Sequence, residues 1–202
     1  MSLIESEYWD ELARLNPETI CGRTMADYHV KRRGYTLPVL NQEHLILPYQ
    51  RKITRLLGDG TPEEVDLNNE FILMVLYYLS KAKDIPLARR WISEKDLPGG
   101  ETFFRGPHAL SVDIVEEKYG DDPEGFIEAG KALGGTPVRF GDKSIAVDVL
   151  PRIPIIYILW VKDEEFPTRA GVLFDANIGS HFTLDIIWIM VNEVSRRLVE
   201  AL

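Results

Sequence analysis

The chain has 202 residues, of which 45% are hydrophobic and 27% charged, so it can bury one sizeable core. Its formal net charge of −9, with no long basic stripe, argues against nucleic acid as a partner. The one cysteine, Cys21, excludes an internal disulfide and a metal centre built from thiolates alone. We find no signal peptide and no apolar run near the roughly 20 residues that span a bilayer, which predicts a cytoplasmic protein without a membrane partner.

The N-terminal third predicts a helix followed by short strands. Apolar residues at helical spacing indicate an amphipathic helix over residues 2–15, which Asn16-Pro17 ends. Pro38 and Pro48 indicate sheet edges, because proline cannot donate a hydrogen bond to a strand ladder. Two or three short antiparallel strands are therefore expected within residues 27–31, 35–40 and 43–49.

A central helix is predicted after the turn at residues 58–62. Asp66 or Asn68 can cap a helix that runs to about Lys83. Apolar residues occur on both of its faces, with Phe71 on one and Ile72 on the other, so we expect this helix to be largely buried.

The C-terminal half predicts modest helices, then strands, then a long helix. Trp91-Ile92 begins a short extended piece. Helices are expected near residues 102–109, 111–118 and 123–133. Strands are expected over residues 138–140, 145–149 and 155–161, with a hairpin turn at residues 141–143. Apolar residues at three- and four-residue steps from Leu184 to Ala201 indicate the final amphipathic helix.

Residues 155–161 carry the clearest signal in the chain. The segment is β-branched and aromatic along its whole length, which is typical of a central strand covered on both faces. We expect it to anchor the fold and to bring its flanking polar residues to one shared surface. The element order predicts a single α+β domain over residues 1–202, with a mixed, mainly antiparallel sheet packed against helices.

Several short segments occur in a characteristic order along the C-terminal half to two-thirds of the chain. They are Trp91-Ile92-Ser93, Leu97-Pro98-Gly99-Gly100, Leu133-Gly134-Gly135-Thr136-Pro137, Gly141-Asp142, Leu150-Pro151-Arg152-Ile153-Pro154 with Trp160, Asp163-Glu164-Glu165-Phe166-Pro167, and Leu173-Phe174-Asp175. As an ordered set they resemble the uncharacterised prokaryotic family called domain of unknown function 3786.

That resemblance implies an accessory or cofactor-handling role, because some members are attached to iron–sulfur or corrinoid modules of anaerobic one-carbon metabolism. With a single cysteine here, such a module would have to be a partner, and the cofactor is unknown. The family pattern has an aromatic residue and an arginine where this chain has Glu94 and Lys95. The family supplies no catalytic residues to transfer.

Arg152 is the first candidate binding residue. It lies between Pro151 and Pro154, whose rings restrict the backbone and hold the guanidinium in place. Such an arginine can clamp a carboxylate or phosphate of a ligand. The structural alternative is an ion pair with Asp148 or Asp175 that locks the sheet.

Acidic residues follow the buried strand. Asp163, Glu164 and Glu165 can act as acid and base if their environments differ, or they can hold a hard cation. The alternative is a solvated loop that keeps the strand end soluble. Trp91, Trp160 and Trp188 either fill the core or line an apolar ligand pocket.

Asp175, Asn177 and His181 form the most metal-like group, with oxygen ligands and one imidazole in a loop before a helix. No standard loop spacing is met, and turn or helix capping is the alternative role.

Phosphate-loop, dinucleotide-binding, nucleophile-elbow and zinc-protease motifs do not occur in the sequence. The sequence therefore predicts a non-enzymatic binding or accessory module for a partner protein or a small anionic ligand. The alternative is an enzyme that uses the loop carboxylates with a divalent cation. Oligomeric state is not predicted.

Overall fold

The computed structural model describes residues 3–201, with the side chains of residues 3 and 4 left out. The helices are α1 (Leu3–Arg14), α2 (Pro17–Thr24), α3 (Asn69–Lys81), α4 (Gly100–Phe103), α5 (Asp113–Tyr119), α6 (Pro123–Ala132), α7 (Ile178–His181) and α8 (Leu184–Glu200). The strands are β1 (Asp27–His29), β2 (Gly34–Val39), β3 (Gln42–Leu47), β4 (Lys52–Leu56), β5 (Pro62–Glu63), β6 (Trp91–Ile92), β7 (Thr136–Pro137), β8 (Lys143–Leu150), β9 (Ile153–Trp160) and β10 (Arg169–Asp175).

These strands form two antiparallel sheets, where a single sheet was expected. The first is a meander in the order β1-β2-β3-β4-β5, and the second has the order β6-β10-β9-β8-β7. The turn after β2 joins the two, because the Leu40 N–H donates to the carbonyl of Val149 in β8 over 3.1 Å. The α+β class and the C-terminal amphipathic helix are confirmed.

Strand β9 is the middle strand of the second sheet, as its residues predict. Its residues are buried from Ile153 to Leu159, and only the last, Trp160, is exposed. The Tyr157 hydroxyl lies 3.0 Å from the carbonyl of Val191 and 2.8 Å from the hydroxyl of Ser195, both on α8. A β-branched and aromatic segment suits this place because both of its faces meet protein.

Helix α3 is largely buried, as predicted, and it packs against α8. Asn68 caps it by accepting the N–H of Phe71 over 2.7 Å. The Asn68 side-chain amide then donates to Glu193 of α8, whose side chain is fully buried.

The N-terminal prediction missed α2. The expected helix over residues 2–15 appears as α1, although Ser2 lies outside the described residues. Asn16 then caps α2 by accepting the N–H of Glu18 over 2.8 Å, with Pro17 in the first turn. Asn16-Pro17 thus ends one helix and begins another, because proline fits a helical first turn as well as it stops a preceding helix.

Two strand predictions were wrong in position. The strand expected over residues 138–140 is β7, which begins two residues earlier. After β7 ends, the Ser144 hydroxyl donates to the carbonyl of Val138 and accepts the N–H of Phe140. Pro38 lies in β2, an inner strand of the first sheet, rather than in an edge strand. It is tolerated there because β1 pairs with β2 only as far as Thr36.

Candidate functional site

The antiparallel topology separates the predicted site residues into two groups. Arg152 precedes β9 and Asp175 ends β10, so both lie at the same end of the second sheet. Asp163 follows β9 and lies at the opposite end. Eight residues of strand at about 3.3 Å each put roughly 25 Å between the two ends. The expectation that one shared surface gathers these residues is therefore wrong.

Arg152 is bonded within the fold. Its Nη1 donates to the carbonyl of Ile85 over 3.0 Å, and its Nη2 donates to the Asp84 carboxylate over 2.6 Å and to the carbonyl of Gly22 over 3.2 Å. Its acidic partner is Asp84, not Asp148 or Asp175. The guanidinium joins the segment after α3 to the C-terminal turn of α2, which is a structural role.

Asp175 and Asn177 bind the segment that leads into β6. One Asp175 oxygen accepts the N–H groups of Ala88 and Asn177, each over 3.0 Å, and the other accepts that of Arg89 over 2.8 Å. The Asn177 side chain donates to the carbonyl of Pro86 over 2.8 Å. Half-buried Trp91 pairs with Asp175 across the sheet. These contacts hold residues 86–91 against β10.

His181 is buried beside Arg152. Its Nδ1 accepts the backbone N–H of Lys83 over 3.3 Å, so the ring is neutral in this bond. Burial lowers the His181 pKa, and the neighbouring charge of Arg152 lowers it further. The three predicted metal donors, Asp175, Asn177 and His181, are thus bonded to the chain itself. Across residues 3–201, no group of three or more histidine, cysteine or acidic side chains is arranged to hold a metal ion.

At the opposite end of the sheet, Asp163 shapes the loop between β9 and β10. Its Oδ1 accepts the N–H groups of Glu165 and Phe166, each over 2.8 Å, and its own N–H donates to the Phe166 carbonyl over 3.0 Å. The two bonds to the carboxylate lower the Asp163 pKa. An ionised carboxylate that closes a turn in this way fixes the positions of the residues beside it.

That turn presents an exposed surface, here called the loop surface, formed by Trp160 and residues 163–166. Phe166 is 64% exposed and Trp160 42%. The indole lies against Gly141 and Gly171. A Cβ added to Gly141 would lie 2.9 Å from the indole, and one added to Gly171 would lie 3.1 Å from it. Glu164 and Glu165 have no side-chain hydrogen bond or ion pair within the described part of the chain. The nearest cation in sequence, Lys162, pairs with Asp121.

Trp160, Asp163 and Glu164 are candidates from the sequence that lie on this surface, whereas Phe166 was not singled out. Trp160 was expected in the core or in an apolar pocket, but it is exposed. An aromatic residue inside an acidic, proline-ended loop was the available signal for Phe166. The two glycines that seat the indole come from β10 and the turn before β8, so only the tertiary structure relates them to Trp160. Exposed aromatic residues beside charges are typical of protein interfaces.

Fold and surface define an α+β protein with an exposed aromatic and acidic end. The chain belongs to the family described as "Domain of unknown function (DUF3786)", whose model matches residues 16–197. The predicted family is thereby confirmed over nearly the whole chain. No curated protein and no solved structure matches the chain. In residues 3–201 no helix has the length and apolar character needed to cross a membrane.

Proposed function

We propose that this chain is a non-enzymatic accessory module that binds a partner protein, and that the loop surface receives a basic segment of that partner. The observation that carries the proposal is the exposure of Trp160 and Phe166 beside Glu164 and Glu165, two acids that pair with no cation of residues 3–201.

The physical case rests on what each residue type contributes to an interface. Tryptophan is enriched among residues that dominate binding energy, and burying an exposed phenylalanine contributes up to about 2 kcal/mol. Unpaired acids attract lysine and arginine of a partner and raise the association rate. The same charges repel phosphate backbones, which favours protein over nucleic acid as the partner.

The remaining hypotheses have less support. An anion at Arg152 would have to displace Asp84 and two backbone carbonyls. For the enzymatic alternative, Asp163 is engaged in its turn and the two glutamates are solvent-exposed, so their surroundings do not set one apart as acid or base.

The link to one-carbon metabolism rests on the family resemblance, with any iron–sulfur or corrinoid module as the partner. A cytoplasmic location is part of the same proposal.

Fluorescence anisotropy with labelled twelve-residue peptides tests the proposal. Three peptides of equal apolar content would carry net charges of about +6, 0 and −6. We expect the cationic peptide to bind most tightly and to weaken as salt rises, because exposed charges are screened within about 10 Å at 0.1 M salt. Phe166→Ala should weaken its binding at least tenfold, the equivalent of about 1.4 kcal/mol.

Tyr49→Ala is the matched control, since Tyr49 is an aromatic residue 56% exposed on the first sheet's side of the chain. It should bind the cationic peptide as the unmodified protein does. Binding that ignores peptide charge, or an equal loss in both variants, contradicts the proposal.

A further inference from the structure

A second candidate site lies away from the loop surface, where α1 ends and α2 begins. A cavity of about 290 Å³ opens there against the first sheet. Its lining includes Arg14, Arg33, Tyr28, Tyr35 and Tyr49. Its volume lies at the small end of the range for ligand pockets, roughly 300–1,000 Å³, which limits an occupant to a small molecule.

Tyr35 is the first indication of a ligand. Its side chain is 2% exposed and lines the cavity, but its hydroxyl has no hydrogen-bond partner in residues 3–201. Burial raises the Tyr35 pKa above the ordinary tyrosine value, so the hydroxyl stays protonated and remains a donor. The hydroxyl itself is not sealed from solvent, so it is available as a donor at the cavity wall. A ligand oxygen in the cavity would accept this hydrogen bond.

Arg33 is the second indication. Its backbone has a φ of 51°, and its guanidinium carbon lies 3.8 Å from the centre of the Tyr49 ring. That ring is held in turn, because the Tyr49 hydroxyl donates to the carbonyl of Ala13 over 3.0 Å. A guanidinium stacked by its face keeps the N–H groups at its edge available to an anion.

The cavity arginines make no ion pair within residues 3–201. Arg14 and Arg33 have no carboxylate partner within the described part of the chain, although the protein is acidic overall. On the same side of the molecule, Arg51 pairs with Asp10 and Arg55 pairs with Glu63. Arg14 also lines a groove with Glu7, Asp10 and Glu11, whereas no acidic side chain among the described residues lines the cavity itself, so Arg33 supplies the positive charge of the cavity.

We infer that this cavity binds a small ligand through an oxyanion, either a carboxylate or a phosphate. Arg33 supplies the charge, and the Tyr35 hydroxyl donates to one oxygen of the anion. The site is independent of the loop surface, and a small anion is bound at this cavity rather than at Arg152.

Thermal unfolding with inorganic phosphate, acetate and malonate, each up to 20 mM against potassium chloride of equal ionic strength, tests the inference. At least one of the three should raise the Tm in a saturable way, because a ligand that binds only the folded state stabilises it by mass action. Arg33→Gln should weaken the apparent affinity for that anion at least tenfold. Tyr35→Phe should weaken it too, while leaving the ligand-free Tm unchanged or raised.

Arg32→Gln is the matched control, because it removes the same charge from the neighbouring residue, which does not line the cavity. Its anion affinity should stay within twofold of the unmodified protein. No saturable shift with any of the three anions overturns the inference, as does an equal loss in Arg32→Gln and Arg33→Gln. A clear fall in the ligand-free Tm of Tyr35→Phe also overturns it, since the hydroxyl would then serve the fold.

Discussion

Replacing Glu193 by glutamine is expected to destabilise the protein strongly, although it removes no volume from the core. The Glu193 side chain is fully buried on α8. One of its oxygens accepts from Arg197 Nε over 2.5 Å and from Arg196 Nη2 over 2.9 Å. The other accepts from Arg196 Nη2 and from the Asn68 side chain, each over 2.9 Å. The carboxylate therefore joins two cations to the residue that caps α3.

The expected loss is about 3 kcal/mol. Removing one partner of a buried ion pair typically costs about 3–5 kcal/mol, and the lower end applies because the arginines are partly hydrated. Arg196 is 42% exposed and Arg197 18%. A glutamine amide would also turn a donor towards groups that are themselves donors. For a chain of this length the Tm should fall by roughly 6–12 °C.

The same carboxylate predicts a pH dependence. Burial raises the Glu193 pKa, but the hydrogen bonds from Arg197, Asn68 and Arg196 outweigh it, so the pKa lies below its ordinary value. A group with a lowered pKa stabilises the fold above its unfolded-state pKa, and this contribution is lost as the pH falls through the folded-state pKa.

Urea unfolding at pH 7, with calorimetry for the Tm, measures the effect. Glu200→Gln is the matched control, because Glu200 contacts the same Arg196 over 2.5 Å from the same helix but is 57% exposed. An exposed pair of this kind contributes about 1 kcal/mol or less. If Glu193→Gln loses no more stability than Glu200→Gln, the reasoning from burial is refuted.

Three further predictions concern the core and the Arg152 contacts. Burial lowers the pKa of His44 to about 4, so below about pH 6.5 the unfolded state binds a proton that the folded state does not, and the protein loses stability as the pH is lowered. The loss of unfolding free energy between pH 7 and pH 5, measured with urea, should be about 2 kcal/mol smaller in His44→Asn. An equal loss in the two proteins contradicts this prediction. Arg152→Met should lower the free energy of unfolding in urea by roughly 2 kcal/mol, because three oxygens lose a charged donor. Binding of the cationic peptide should be unchanged. Weaker peptide binding would show that Arg152 belongs to the binding surface. Gly130→Ala should destabilise the protein by about 1–3 kcal/mol, because the added Cβ would lie 2.6 Å from Ile145. Gly22→Ala is the control, because open space surrounds that glycine, and it should stabilise the protein by up to about 1 kcal/mol. A change of unfolding free energy in the same direction for both variants would contradict the prediction.

Much of the local structure could be predicted because it depends on neighbours in sequence. The burial of β9 follows from an unbroken β-branched and aromatic run, and the start of α3 follows from Asn68 before an apolar repeat. Helix α2 was missed because Asn16-Pro17 can end a helix or begin one, and eight residues carry too little apolar periodicity to decide.

The candidate sites depended on contacts between distant residues, which sequence does not specify. Arg152 could be predicted as an immobilised arginine, but its partner Asp84 is 68 residues away. The cavity arginine Arg33 belongs, by sequence, to a short solvated basic cluster. The tertiary structure distinguishes it from Arg32, because its guanidinium packs on the Tyr49 ring and it lines the cavity.

The sequence alone determined the α+β class, the buried central strand and the final helix, because each depends on composition and on short-range periodicity. It also indicated the family, through the resemblance of an ordered set of short segments. The tertiary structure decided that Arg152 and Asp163 lie at opposite ends of a sheet, that the predicted metal donors bind the backbone, and that Arg33 and Tyr35 line one cavity. The physical reason is that strand direction and hydrogen-bond satisfaction are set by pairings across long sequence separations. Those pairings decide which polar groups serve the fold and which stay available to a ligand or partner.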